Sequence, residues 1–130
     1  MNPPQPVRLL VCDPDPQCRK MIEDYLRDSS FRVYFTSPSE PFEITLSRHS
    51  PLCAVIMDLS NPAKRSCGAM MAAVKKASPG AEVIFLSRLA DEILWSEVLS
   101  MGAYDLLPKP VERMEFLRSV FGAVHDSEAA

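Results

Sequence analysis

The 130-residue chain is predicted to fold as a single α/β domain, a doubly wound, five-stranded parallel sheet with helices on both faces. Two observations lead to this prediction. Short apolar runs alternate five times with segments whose apolar residues recur at helical spacing, and the connections are short. One apolar run, LCAVIM at residues 52–57, is uninterrupted, which is typical of a strand covered on both faces.

The first half of the chain contains three of the predicted strands. The short, partly β-branched run VRLLVC predicts a strand over residues 7–12, and FRVYF predicts a second over residues 31–35. The third is the uninterrupted run at residues 52–57. Apolar residues spaced along one face predict the two intervening helices, at residues 15–27 and 41–48.

The second half repeats the alternation. The run EVIFL predicts a fourth strand over residues 82–86, and residues 104–107 predict a fifth. A helix is predicted over residues 91–101, because the glycine that follows is a favourable helix C-cap. The other two helices of this half are predicted over residues 69–77 and 111–124.

We expect a proline-rich extended leader at residues 1–6, a globular domain at 7–125 and a flexible tail at 126–130.

The composition of the chain excludes several classes of function. The net charge of −3 argues against unspecific nucleic-acid binding, which normally needs a basic surface. No apolar run approaches the roughly 20 residues of a membrane helix, and no signal peptide is predicted. Four cysteines without C-x-x-C spacing predict reduced thiols in the cytoplasm.

Four polar residues follow or end predicted strands. They are Asp13, Asp58, Ser87 and Lys109, after the first, third, fourth and fifth strands. Right-handed crossovers bring the carboxyl ends of parallel strands to one edge of the sheet, so we expect these side chains to converge there. Two acids and a lysine at one edge would make a site for an anion and a metal ion.

Each of these residues also has a structural interpretation. Asp58 could be a solvated loop acid, and Lys109 a surface lysine in a Pro-Lys-Pro turn that limits its freedom. Ser87 could cap the following helix. For Asp15, in the first loop, capping of the first helix is the favoured interpretation.

The chain resembles the receiver domain of bacterial response regulators, a flavodoxin-like fold also called CheY-like, from residue 7 to about residue 124. The motifs that carry the resemblance are LLVCDPDP at 9–16, AVIMDLSNP at 54–62, VIFLS at 83–87 and GAYDLLPKP at 102–110. Their order and spacing make the match specific. The resemblance implies a non-enzymatic signalling module.

The resemblance also implies roles for the strand-end residues. Asp58 matches the phosphoacceptor, which takes a phosphoryl group from a histidine kinase or phosphotransfer protein. Lys109 matches the lysine that pairs with the acceptor, and Ser87 matches the switch hydroxyl. Asp13, together with Asp58, matches the acids that hold Mg²⁺. Pro62 matches the proline four residues after the acceptor, and the peptide bond after Lys109 is expected to be cis.

The sequence departs from the family pattern at three places. Pro14 stands where the family has a second acid and cannot be a side-chain ligand, so we expect weaker Mg²⁺ binding. The loop after Asp58 has two extra residues before its glycine and carries Lys64 and Arg65, which we interpret as solvated. The switch aromatic of the fifth strand is Leu106, which weakens the expected relay from Ser87.

Two alternatives to a phosphorylated receiver remain. A degenerate receiver would act only as a protein-binding module, but the retention of Asp58, Lys109 and Ser87 favours phosphorylation. A phosphatase of the haloacid-dehalogenase type would use a D-x-D pair, with Asp13 as nucleophile and Asp15 as acid and base. The chain is short for that class, and no paired acids follow the fourth strand.

The resemblance places the output surface on the fourth helix, fifth strand and fifth helix. The fourth helix has more apolar residues than one buried face needs, so Trp95 and Leu99 are candidates for an exposed patch, with Leu106 on the same face. A Trp95 packed on the sheet is the competing interpretation. We expect the output partner to be a protein, without direct binding to nucleic acid or to a membrane. The resemblance is also compatible with a homodimer.

Overall fold

The computed structural model describes residues 6–59 and 67–129, in which a five-stranded sheet is enclosed by five helices. The strands are β1 (Arg8–Cys12), β2 (Arg32–Phe35), β3 (Ala54–Asp58), β4 (Glu82–Ser87) and β5 (Asp105–Pro108). The helices are α1 (Pro16–Tyr25), α2 (Phe42–His49), α3 (Cys67–Ala77), α4 (Glu92–Ser100) and α5 (Arg113–Ala129). All neighbouring strands are parallel, in the order β2-β1-β3-β4-β5. The predicted doubly wound fold is confirmed, with β3 at the centre between β1 and β4.

Two apolar cores lie on opposite faces of the sheet. Buried residues of α1 and α5 pack on one face, and those of α2, α3 and α4 pack on the other. Strand β3 supplies both cores, because Ala54 and Ile56 face one side while Val55 and Met57 face the other. This double burial explains why the strand is continuously apolar in the sequence.

The ends of several helices follow the sequence signals. Asp15 is the N-cap of α1, where its side chain accepts a hydrogen bond from the Gln17 amide at 3.0 Å. Asp91 caps α4 in the same way through the Leu94 amide at 2.8 Å. Gly102 follows α4 with a φ of 103°, a left-handed conformation that glycine adopts without strain.

The last helix is longer than the sequence pattern predicts. Helix α5 continues to Ala129, whereas the prediction ended it at residue 124 and made residues 126–130 a flexible tail. The apolar periodicity ends at Val124, but no proline or glycine follows, so the backbone continues as an exposed helical turn. Helix α3 begins at Cys67, inside the segment predicted as loop.

Three sequence predictions fall wholly or mainly on residues outside the described ranges. They concern the leader, of which residue 6 alone is described, the proline at position 62, and the basic residues Lys64 and Arg65. Within the described part of the chain, no helix combines the length and the apolar character needed to span a membrane.

Candidate functional site

The strand ends bring the predicted polar residues to one edge of the sheet. Asp13 directly follows β1, Asp58 is the last residue of β3, and Ser87 is the last residue of β4. Lys109 follows β5. Because β1 and β4 are the two neighbours of β3, residues at their carboxyl ends flank Asp58 on both sides.

Lys109 contacts both carboxylates at this edge. Its Nζ atom lies 2.9 Å from Asp13 Oδ2 and 3.1 Å from Asp58 Oδ1. The three side chains are almost entirely removed from solvent, with 5% of Lys109, none of Asp13 and 1% of Asp58 exposed. Buried charges need such partners, and Lys109 supplies one to both carboxylates.

The main chain at Lys109 is restrained by its neighbours. Lys109 lies between two prolines, and the Lys109–Pro110 bond is cis, as the resemblance predicted. The Lys109 amide donates a hydrogen bond to the Ser87 carbonyl at 3.0 Å, which ties the turn to the end of β4. Burial lowers the pKa of Lys109, but hydrogen bonds to Asp13 and Asp58 outweigh it, so the pKa lies above its ordinary value.

Asp13 has three partners in the described structure. Beside Lys109, its Oδ1 atom accepts a hydrogen bond from the Asp15 amide at 2.9 Å, and the carboxylate accepts another from the Cys18 thiol. Burial and the Asp13 carboxylate together raise the pKa of Cys18 to about 12. Cys18 therefore stays a neutral hydrogen-bond donor to Asp13.

Asp13 and Asp15 lie in the same loop but have different roles. Asp15 uses Oδ1 to cap α1, which confirms the structural interpretation of this residue. Pro14 is exposed and offers no side-chain oxygen, so the second acid of the family pattern has no substitute in this loop.

Ser87 is placed at the same edge but is not a helix cap. Its hydroxyl accepts a hydrogen bond from the Leu89 amide at 3.0 Å, and the residue is only 5% exposed. The cap of α4 is Asp91, so the expectation that Ser87 caps this helix is wrong. The Ser87 hydroxyl is instead held in a tight turn directly after β4.

Asp13 and Asp58 are the side chains at this edge that could hold Mg²⁺. Asp13 and Asp58 supply hard oxygen ligands at one edge, and Mg²⁺ commonly takes one or two carboxylates together with waters and phosphate oxygens. Both carboxylates already contact Lys109. Within residues 6–59 and 67–129, no three His, Cys, Asp or Glu side chains form a metal-binding group.

The predicted interaction residues are not all exposed. Trp95 is 49% exposed, so the alternative of a tryptophan packed on the sheet is wrong. Leu99 is half-buried against the core beneath α4, because it follows the buried Val98 on that face. Leu106 is 4% exposed and belongs to this core, so it is not itself a surface residue of α4 or β5. Ile93, which was not identified from the sequence, is 72% exposed.

Two further residues near the site were missed. Cys18 was predicted only as one of four reduced thiols, although it follows Asp13 closely enough for a contact back from the first turn of α1. Arg88 lies directly after Ser87, and its Nη2 atom is 3.8 Å from Asp15 Oδ2. A charged residue directly after a strand-end serine is the signal that could have identified it.

Comparison with solved structures gives the same fold at low sequence identity. A receiver domain protein from Clostridium thermocellum is 23% identical with a TM-score of 0.77, over 95% of this chain and 98% of that chain. A CheY-like receiver domain protein from Methanospirillum hungatei JF-1 is 17% identical with a TM-score of 0.78, over 96% and 98%. A BeF3-activated DrrB receiver domain is 23% identical with a TM-score of 0.73, over 93% and 99%.

The sequence itself matches a family model. The model describes the response regulator receiver domain, and the match covers residues 9–121. That range includes the five strands, except for the first residue of β1, and every residue of the site at their carboxyl ends. The chain therefore belongs to the response regulator receiver domains of two-component signalling.

Proposed function

We propose that Asp58 accepts a phosphoryl group from a phosphohistidine of a histidine kinase or phosphotransfer protein. The observation that carries the proposal is the buried contact of Lys109 Nζ with Asp58 Oδ1 at 3.1 Å. An ammonium fixed beside a carboxylate at a strand end is placed to neutralise charge that a phosphoryl group brings. Membership of the receiver family argues against the phosphatase alternative, in which Asp13 would be the nucleophile.

The transfer is a displacement at phosphorus. An Asp58 carboxylate oxygen forms a bond to phosphorus while the bond from phosphorus to the donor imidazole nitrogen breaks, and the nitrogen keeps the bonding pair. The product is an acyl phosphate on Asp58 and a histidine that takes up a proton. Lys109 then pairs with the phosphoryl oxygens, and Asp13 keeps Lys109 in position.

Mg²⁺ would be held by Asp13 and Asp58, where it supplies charge neutralisation for the phosphoryl oxygens. With Pro14 in place of an acid, we infer that this metal binds more weakly than three acids would allow. The protein's own residues then carry a larger share of the electrostatic stabilisation.

The signal would leave through α4, β5 and α5. On phosphorylation, the Ser87 hydroxyl would exchange its bond with the Leu89 amide for a phosphoryl oxygen. Leu106 fills the core at the position of the family's switch aromatic, so this relay is weaker than the usual one. Trp95 and Leu99 on α4 would then contact an output protein or a second copy of this chain.

The cellular setting follows from the same proposal. We infer a cytoplasmic signalling module whose output is a protein contact and that performs no catalysis on a free substrate. The net charge of −3 supports a protein partner over nucleic acid.

Phosphorylation by acetyl phosphate with Mg²⁺ tests the proposal. Intact-mass measurement should find one phosphoryl group on the wild type and none on Asp58→Asn, which keeps the side-chain shape. Asp15→Asn is the matched control, since asparagine also caps helices, and it should be labelled. Equal labelling of Asp58→Asn, or no labelling of the wild type, would contradict the proposal and favour a degenerate receiver.

A further inference from the structure

Arg88 and Asp15 join the two segments that flank Asp58. Arg88 directly follows β4, and its guanidinium reaches Asp15, two residues beyond Asp13 at the end of β1. Strands β1 and β4 are separated by β3, so their axes lie about 10 Å apart. The contact between Arg88 and Asp15 therefore connects the segments on either side of β3, whose last residue is Asp58.

The contact between Arg88 and Asp15 is loose. The Nη2 to Oδ2 distance of 3.8 Å is too long for a hydrogen bond, and 68% of the Arg88 side chain is exposed. Asp15 already uses its other oxygen to cap α1. Exposed ion pairs of this kind contribute little to stability, so the guanidinium can leave Asp15 for a better acceptor at small cost.

A phosphoryl group would be that better acceptor. A phosphoryl group would add roughly −1.5 to −2 of charge beside the carboxylates of Asp13 and Asp58. Lys109 is already shared between these two carboxylates. A guanidinium forms two parallel hydrogen bonds with phosphate oxygens, so Arg88 is suited to bind such a group.

We propose that Arg88 is a phosphoryl-binding residue of this receiver, which leaves Asp15 to bind the oxygens of the transferring group and so supplies part of the charge that a weakly held Mg²⁺ does not. The inference rests on the proposed phosphorylation of Asp58. In the test reaction, an Asp58 oxygen bonds to the phosphorus of acetyl phosphate while the bond to the acetate oxygen breaks, and acetate leaves with the bonding pair. Arg88 stays protonated throughout.

The test compares labelling rates by acetyl phosphate in EDTA and over a series of Mg²⁺ concentrations. Arg88→Ala should be slower than the wild type by about tenfold or more at low Mg²⁺, and the difference should narrow at saturating Mg²⁺. Arg88→Lys should recover part of the rate. Arg27→Ala removes another exposed arginine, whose ion pair with Asp24 lies at the C-terminal end of α1, and should label like the wild type.

Asp15→Asn separates the two partners of Arg88. The variant keeps an N-cap residue but removes the charge that holds the guanidinium, so labelling at low Mg²⁺ should equal or exceed that of the wild type. An Arg88→Ala variant that labels as fast as the wild type at low Mg²⁺ would overturn the inference. A loss of labelling rate that is the same at every Mg²⁺ concentration would also overturn it, because Arg88 would then not supply charge in place of the metal.

A second readout does not depend on transfer to Asp58. Inorganic phosphate should raise the thermal unfolding midpoint of the wild type more than that of Arg88→Ala, with sodium chloride at equal ionic strength as reference. If the wild type is never phosphorylated, the proposed function fails, yet this difference would still support Arg88 as an anion ligand. Equal midpoint shifts in the two proteins would overturn the Arg88 inference alone.

Discussion

Replacing Lys109 with methionine removes the ammonium that both site carboxylates contact. Methionine keeps an unbranched side chain and can fill the same space. The two carboxylate oxygens that contact Lys109 lie within about 6 Å of each other, given their distances of 2.9 and 3.1 Å from the same nitrogen. Asp13 and Asp58 would then stay almost fully buried but lose the ammonium that both of them contact.

The expected loss of stability follows from this burial. Removing one partner of a buried ion pair costs about 3–5 kcal/mol, because the remaining charge stays desolvated. In contrast, the pair of Arg27 with Asp24 is 64% and 43% exposed, and such pairs contribute about 0–1 kcal/mol. Lys109→Met should therefore lose about 3 kcal/mol of unfolding free energy at neutral pH, clearly more than Arg27→Ala.

The pH dependence has a definite sign. The pKa of Lys109 is raised in the folded protein, so its contribution is complete below the ordinary lysine pKa of about 10.4. The contribution is lost as the pH rises through the folded value. Wild type and Lys109→Met should thus differ most at neutral pH and converge at strongly alkaline pH.

Urea unfolding followed by circular dichroism measures the difference. Lys109→Met combined with Asp58→Asn should recover part of the stability, because one of the two carboxylates that lost the Lys109 contact is then a neutral amide. A Lys109→Met protein as stable as Arg27→Ala at neutral pH would refute the argument that Lys109 compensates buried carboxylates.

Three further predictions concern packing and the thiol beside the site. Gly122→Ala should lower the unfolding temperature, because its new Cβ atom would overlap the Tyr104 hydroxyl, and Tyr104→Phe should relieve the loss; no loss would contradict this packing. Ser119→Ala should cost about 1–3 kcal/mol in urea unfolding, since this buried hydroxyl donates to Asp105 Oδ2 at 2.9 Å; an unchanged midpoint would count against that bond. Cys18, whose pKa is about 12, should react with a chromogenic disulfide reagent only after unfolding; rapid reaction of the folded protein would contradict its burial.

Much of the fold could be predicted from the sequence, because alternation and burial leave direct traces in it. The uninterrupted apolar strand β3 predicted a sheet covered on both faces, and strand ends predicted one shared edge. The end of α5 could not be predicted, because its last turn has no apolar residues to mark it. The exposure of α4 was only partly predictable, because the packing of this helix on the sheet leaves Trp95 exposed and Leu99 half-buried.

The candidate site shows the same division. Asp13, Asp58 and Lys109 were predicted to converge because each follows or ends a strand, and the structure places them in contact. The bond from Cys18 to Asp13 and the reach of Arg88 to Asp15 depend on side-chain directions across different elements. Sequence spacing alone does not specify such contacts, so both were missed.

The central claim is that Asp58 carries the phosphoryl group, and chemical trapping tests it most directly. Borohydride reduces an acyl phosphate to an alcohol, so a phosphorylated aspartate becomes homoserine and can be located by peptide mass spectrometry. After treatment with acetyl phosphate and Mg²⁺, we expect homoserine at position 58 and unmodified aspartate at position 13. Homoserine at position 13, or none at position 58, would contradict the account.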